Sequence, residues 1–141
     1  MKILQLSVFL ENKEGRLAEI IGTLASAGIN IRTISLADTK DFGVLRMITD
    51  APEKAVEILK NKGVTVKTTD IIAAGVEDSP GGLYKVLKTF KDAGINIEYM
   101  YAMTGKNNGN AVMIFRVDDP DAAIKNIKGV KFLAADDIYR V

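Results

Sequence analysis

Ala27-Gly28-Ile29-Asn30-Ile31 recurs, residue for residue, 66 positions later as Ala93-Gly94-Ile95-Asn96-Ile97. Working outward, Glu11–Ser35 and Glu77–Tyr101 share nine identities over 25 positions, including Gly15/Gly81, Leu17/Leu83 and Thr23/Thr89. Once two extra residues are allowed in the Gly105–Gly109 loop, Val44, Asp50, Pro52 and Ala55 meet Val112, Asp118, Pro120 and Ala123. Lys62-Gly63-Val64 then meets Lys128-Gly129-Val130. Identities kept in order, 66 to 68 positions apart, mark a duplicated module, expected over residues 1–68 and 69–141.

Each module reads as strand, helix, strand, strand, helix, strand. Residues Ile3–Leu10 alternate, with Leu4, Leu6, Val8 and Leu10 on one side and Gln5 and Ser7 on the other, as in a half-buried strand. Leu17, Ile20, Ile21, Leu24 and Ala25 follow the spacing of an amphipathic helix, and Gly28 ends it. Strands follow over 29–38 and 43–49, with a turn near Lys40-Asp41. Pro52 then opens a second helix carrying Ala55, Ile58 and Leu59, which ends at Gly63 before a strand from Val64. The second copy repeats this with Leu83, Val86, Leu87 and Phe90, strands over 95–103 and 110–117, a helix from Pro120 and a strand from Val130. A βαββαβ unit places both helices on one face of a four-stranded antiparallel sheet, so the fold class is α+β: two ferredoxin-like modules. Ala111, Met113, Phe115 and Val117 alternate with Val112 and Ile114, so that strand is apolar on both sides and needs cover on both, which predicts packed sheets. Asp136–Val141 is read as a last stretch of strand.

The composition narrows the chemistry. The chain has 141 residues, 19 Lys plus Arg against 18 Asp plus Glu, and neither Cys nor His. A thiol nucleophile, an imidazole base, an iron–sulfur cluster and a zinc site of the usual ligands are therefore excluded. A net charge of +1 gives no electrostatic reason to expect nucleic acid or an anionic membrane. No apolar run approaches the roughly 20 residues of a membrane span, so a cytoplasmic protein without cofactor or metal is expected. Asp118, Asp119 and Asp121 surround Pro120 as first-turn helix acids that complement the dipole, not as a metal set.

The loops after the first strand of each copy, Glu11-Asn12-Lys13-Glu14-Gly15-Arg16-Leu17 and Glu77-Asp78-Ser79-Pro80-Gly81-Gly82-Leu83, suit a small ligand. An Asn or Asp three residues before the glycine can cap the helix, the glycine permits close approach, and free helix-start N–H groups favour a carboxylate. Asn30 and Asn96, one helix-length on, are expected at the same end as these loops, offering amide donors and acceptors to an amino acid's charged groups. Tyr99, Met100, Tyr101 and Met103 in copy two suggest a large apolar pocket there.

Asn12-x-x-Gly15-x-Leu17 with Gly28-Ile29-Asn30-Ile31, and Asp78-x-Pro80-Gly81-x-Leu83 with Gly94-Ile95-Asn96-Ile97, resemble the ACT domain in tandem. The likeness extends to small stand-alone tandem proteins of this type, with Ala37-Asp38-Thr39 and Phe42-Gly43 after the second strand. The resemblance implies a non-catalytic regulatory protein that binds an amino acid where modules meet, acts as a homodimer, and modulates a metabolic enzyme in trans. It nominates Asn12, Gly15, Arg16, Leu17, Asn30 and Ile31 in copy one, and Asp78, Gly81, Gly82, Leu83, Asn96 and Ile97 in copy two. The alternative is a purely structural interaction module with degenerate sites. A small hydrolase of the same topology would use Arg16 with Asn30, but copy two has Gly82 at the Arg position. An RNA-recognition module would need a basic stripe beside its aromatics.

Overall fold

The computed structural model describes residues 1–38 and 40–139; Thr39 of the Ala37-Asp38-Thr39 motif and residues 140–141 lie outside them. The chain divides into two units. One comprises Leu4–Thr69 with Tyr139, the other Met1–Ile3 with Asp70–Ile138.

In the first unit, β1 (Ile3–Glu11) leads through a short loop to α1 (Arg16–Ser26), β2 (Ile31–Asp38), β3 (Phe42–Thr49), α2 (Pro52–Asn61) and the opening half of β4 (Thr65–Val76). The strand order is β2-β3-β1-β4. β3 runs antiparallel to both neighbours, with Leu6 opposite Met47 and Ile34 also opposite Met47. Leu6, Val8 and Leu10 alternate on the side of β1 that faces the helices, joined by Leu45 and Met47, and pack on Ile20 and Leu24 of α1 and Ala55 and Leu59 of α2. Each fully buried Leu or Ile contributes about 1.5–3 kcal/mol relative to exposure, so this stripe supplies most of the unit's cohesion.

The second unit repeats the plan. The latter half of β4 precedes α3 (Gly82–Asp92), β5 (Ile97–Asn107), β6 (Asn110–Val117), α4 (Pro120–Asn126), β7 (Lys131–Phe132) and α5 (Ala135–Tyr139). β7 pairs β4, which pairs β6, which pairs β5, all antiparallel. Ile72, Ala74 and Val76 with Phe115 and Val117 face Val86, Phe90, Ala123 and Ile127. The Phe90 and Phe115 rings lie 4.9 Å apart at 60°, a tilted pair of the kind aromatic quadrupoles favour. Both units thus have the ferredoxin-like strand order, and the βαββαβ expectation holds twice.

One detail adds to the sequence reading and two differ from it. β4 runs twelve residues without a break, so position 68/69 falls inside a strand. Thr65-Val66-Lys67-Thr68-Thr69 and Ile71-Ile72 are rich in β-branched residues, and Asp70 is the single turn-favouring residue among them, so extended backbone prevails. β1 is not half-buried, because Gln5 and Ser7 are enclosed like the leucines between them. Thr33 and Ile48 on the same side of that sheet are also buried, as are Ile71, Ala73, Val112 and Ile114 in the second unit. The apolar pattern of β6 predicted closure of both faces. For β1, the polar pair conceals it, since Gln5 Nε2 donates to Ser7 Oγ at 3.2 Å and so tolerates burial.

The described part of Asp136–Val141 is helical rather than a strand. Asp137 Oδ2 accepts from Ala134 N at 3.1 Å while Asp137 N donates to Ala134 O, a local turn that starts α5. Ile138 is buried, and Tyr139 Oη accepts from Leu4 N at 2.8 Å.

Thr49 has a fully buried hydroxyl with no hydrogen-bond partner. The repeat places Val117 at the equivalent point of the second unit, also fully buried. A buried orphan hydroxyl costs about 1–3 kcal/mol. Thr49→Val is expected to stabilise the protein by ~1 kcal/mol, read as a shift to higher denaturant midpoint; an unchanged or lower midpoint would show that the hydroxyl is solvated.

Candidate ligand-binding site

Between β1 and α1, Gly15 adopts a left-handed conformation (φ 80°), which a side chain would resist, and this turns the chain straight into the helix. No side chain caps α1, so the expected capping role of Asn12 is not realised. Instead Asn12 N donates to Asp41 O at 2.9 Å, and its Nδ2 donates to Lys40 O at 3.4 Å. The amide ties the first loop to the β2–β3 turn. A cavity of about 70 Å³ lies beneath, lined by Leu10, Asn12, Leu17, Leu36 and Gly43 among others. Arg16 turns to the other side of the loop. Its guanidinium is 3.3 Å from Glu19 and lines a separate crevice of about 250 Å³ with Phe9, Glu11 and Phe42.

Asn30 lies at the far end of the same unit. Asn30 N donates to Asp50 Oδ1 at 2.9 Å, and Asp50 N donates to Asn30 O at 3.0 Å. β2 therefore starts beside the end of β3, while its own end sits beside Gly43, next to the first loop. The expectation that Asn12 and Asn30 share one end is corrected. The eleven residues of α1 carry the chain about 16 Å back along the sheet, and β2 must run the length of the module before it regains the loop. Ile31 packs against the core. The small-hydrolase pairing of Arg16 with Asn30 falls with the same geometry.

The second unit repeats the far-end arrangement. Asn96 N donates to Asp118 Oδ1 and Asp118 N donates to Asn96 O, both at 3.1 Å. Asn96 and Ile97 line an open groove of about 460 Å³ with Leu87, Phe90 and Lys91. Asp119 caps α4 by accepting from Ala122 N at 3.0 Å. Asp118 and Asp119 thus spend their carboxylates on backbone donors, and among the described residues no group of three or more acids forms a metal set. Sequence reasoning missed Asp50 and Asp118 as partners of the two asparagines. Their identity at matched positions of the repeat was the available signal.

The first loop of the second unit is closed more tightly. Gly81 is left-handed (φ 84°), and Ser79 N donates to Glu77 O at 3.0 Å. A Cβ on Gly82 would overlap the Glu77 carbonyl, so no side chain fits where the first unit carries Arg16. The Asp78 carboxylate, a natural partner for an ammonium group, is already 2.9 Å from Lys106 Nζ. Leu83 is partly exposed at 36%. Tyr99 and Tyr101 pair with Arg116 and Ile114 on one side of the sheet, whereas Met100 pairs with Phe115 and packs on the helical core. Strand alternation therefore divides the aromatic–methionine run between two faces instead of gathering it in one pocket.

The tandem repeat, the strand order and the paired loops define a class of duplicated ferredoxin-like binding modules. Over residues 1–141 the chain matches the family described as the ACT domain pair, and it belongs to that family. As such it is a non-catalytic module with a general ligand-binding, regulatory role. A protein of Bacteroides thetaiotaomicron, known from a crystal structure, is 40% identical and covers 100% of this chain and 98% of its own, with a TM-score of 0.92. The ligand-free regulatory subunit of aspartate kinase from Thermus thermophilus shares the fold at 18% identity, covering 86% of this chain and 88% of that one, with a TM-score of 0.63. The acetolactate synthase small subunit of Buchnera aphidicola is 39% identical over 59 residues, 40% of this chain and 37% of that subunit. The match thus spans little more than a third of that relative. Among the described residues no helix is long and apolar enough to cross a membrane.

Gly82→Ala is expected to destabilise the protein by about 1–3 kcal/mol, because the clash is with backbone and must be relieved by moving the loop. Gly22→Ala, in a helix position with open space around its Cβ, is the control and should stabilise slightly. Thermal unfolding of both variants checks this; equal midpoints would contradict the close approach.

Proposed function

We propose that the chain is an amino-acid-responsive regulatory protein of the cytoplasm, acting on a metabolic enzyme in trans, with modules over residues 1–68 and 69–141. The observation that carries this reading is the cavity under the first loop, where Asn12 stands beside Leu17 and Leu36 at a glycine-turned helix start. Helix-start N–H groups suit a carboxylate, and the leucines suit an apolar side chain. At about 70 Å³ the cavity is small for a whole amino acid, so the ligand would extend beyond it.

The opposite placement of Asn12 and Asn30 bears on how such a site would be completed. A ligand held by a first loop and by a strand-start asparagine needs two modules. A homodimer provides them if the β2 edges of two copies meet antiparallel, which sets the loop end of one beside the Asn30 end of the other. Ile34 and Leu36 of β2 are 45% and 49% exposed, and they support a contact along that edge. Binding in such a seam would favour one arrangement of the copies over others by its differential affinity, and that is the regulatory output.

In the second unit, the closed Glu77–Gly82 turn favours the alternative reading for that loop, a degenerate site kept for interaction. The Asn96 groove is the remaining candidate there.

Calorimetry against the twenty amino acids tests the proposal. Apolar or aromatic amino acids should bind, and Asn12→Ala combined with Asn96→Ala should weaken them about ten-fold or more, as expected for losing one or two hydrogen bonds. Unchanged affinity in the double variant would remove both asparagines from the site, and sedimentation of the free protein as a monomer at all concentrations would remove the homodimer.

A further inference from the structure

The 250 Å³ crevice on the other side of the first loop has a chemistry of its own. Two large aromatic side chains stand partly in water there, Phe9 at 39% and Phe42 at 59% exposure. Phe42 lies opposite Glu11 and Phe9 opposite Val44, so the two rings are diagonal neighbours on one sheet face, within reach of a common guest. Arg16 lines the same crevice from the start of α1, and Glu11 and Thr65 add polar groups. The volume lies just below the roughly 300 Å³ where drug-sized pockets begin, a size for a molecule the bulk of an aryl acid.

The duplicate shows that the cluster is not a requirement of the fold. The repeat puts Gly75, Gly82 and Asn110 where the first unit has Phe9, Arg16 and Phe42. Gly75 and Asn110 are neighbours there, the Asn110 side chain lying 3.6 Å from where a Cβ on Gly75 would be, so the positions of the two aromatics adjoin in both units. The module folds without the aromatics and the guanidinium, and in one copy it cannot accommodate the latter. The first unit therefore carries three costly or exposed side chains around one crevice that its sister does without.

We infer that this crevice is a second binding site, for a small carboxylate that carries an aromatic or branched apolar group. Arg16 would hold the carboxylate through its planar fork of donors, exchanging the exposed Glu19 partner for it, since an exposed i,i+3 pair is weak. Phe9 and Phe42 would take the apolar body. The Glu11 carboxylate lines the same crevice in an exposed pair, 3.5 Å from Lys13 Nζ, that an α-ammonium group would replace, so either an amino acid or its amino-free analogue supplies the carboxylate. The inference does not rest on the Asn12 and Asn96 assignment, and its key variants are different residues.

The test is titration of the full chain, followed by amide NMR, with L-phenylalanine, 3-phenylpropionate and phenethylamine as probes. At least one of the two carboxylates should bind saturably and shift the Gly63 and Thr65 amides, while phenethylamine should not. Arg16→Gln, at a half-buried position, and Phe42→Ala, at an exposed one, should each weaken binding about ten-fold. Tyr84→Ala, at an equally exposed aromatic of the second unit, should leave affinity unchanged. Tighter binding of L-phenylalanine than of 3-phenylpropionate, lost in Glu11→Gln, identifies an amino acid as the source; equal affinity identifies the carboxylate alone. Failure of both carboxylates to shift those amides overturns the inference, as does binding that survives both Arg16→Gln and Phe42→Ala.

Discussion

Each module is held at one end, and the first module at both, by hydrogen bonds that lie outside the helices and ladders. At one end Asn30 and Asp50 exchange two bonds, as do Asn96 and Asp118, and these close the strand that follows a helix onto the strand that precedes the next. At the other end Asn12 binds the Lys40–Asp41 turn. With both ends fastened, β2 and β3 keep a register in which a slip of one residue would turn Leu45 and Met47 out of the core. The packing of Ile20, Leu24, Ala55 and Leu59 over that sheet depends on this register.

Much of the fold was legible because the repeat doubled every weak signal. A glycine after a helix, a proline at a helix start, or an Asn before a strand is common alone; the same set at matched positions is not. The helix-facing stripe of β1 was equally readable from Leu6, Val8 and Leu10. What escaped was of two kinds. Burial of Gln5 and Ser7 is hidden because polar residues can satisfy each other, so alternation reports polarity and not exposure. The helical turn at Ala135–Tyr139 escaped because its signal is one carboxylate folding back on Ala134, and the repeat argued for a strand. Tertiary and very local interactions overrode the pattern in these two places.

The candidate residues were found as types but not as a constellation. Asn12, Leu17 and the glycine turn do come together, whereas Arg16 and Asn30 face elsewhere. Sequence distance along a helix does not say on which end of a sheet a residue arrives; the number of times the chain has crossed the module does. The same alignment, however, showed at once that the two copies are chemically unequal, and the structure gives the reason in the Lys106 pair and the closed loop of the second unit.

Duplication begins with two interchangeable halves, and position 82 shows how that symmetry becomes hard to restore. Once the Glu77 carbonyl has settled into the space of a missing side chain, reverting the residue alone meets a wall of main chain. The loop would have to be rebuilt first, with no benefit until both changes are in place. Divergence of the halves is in this respect a ratchet.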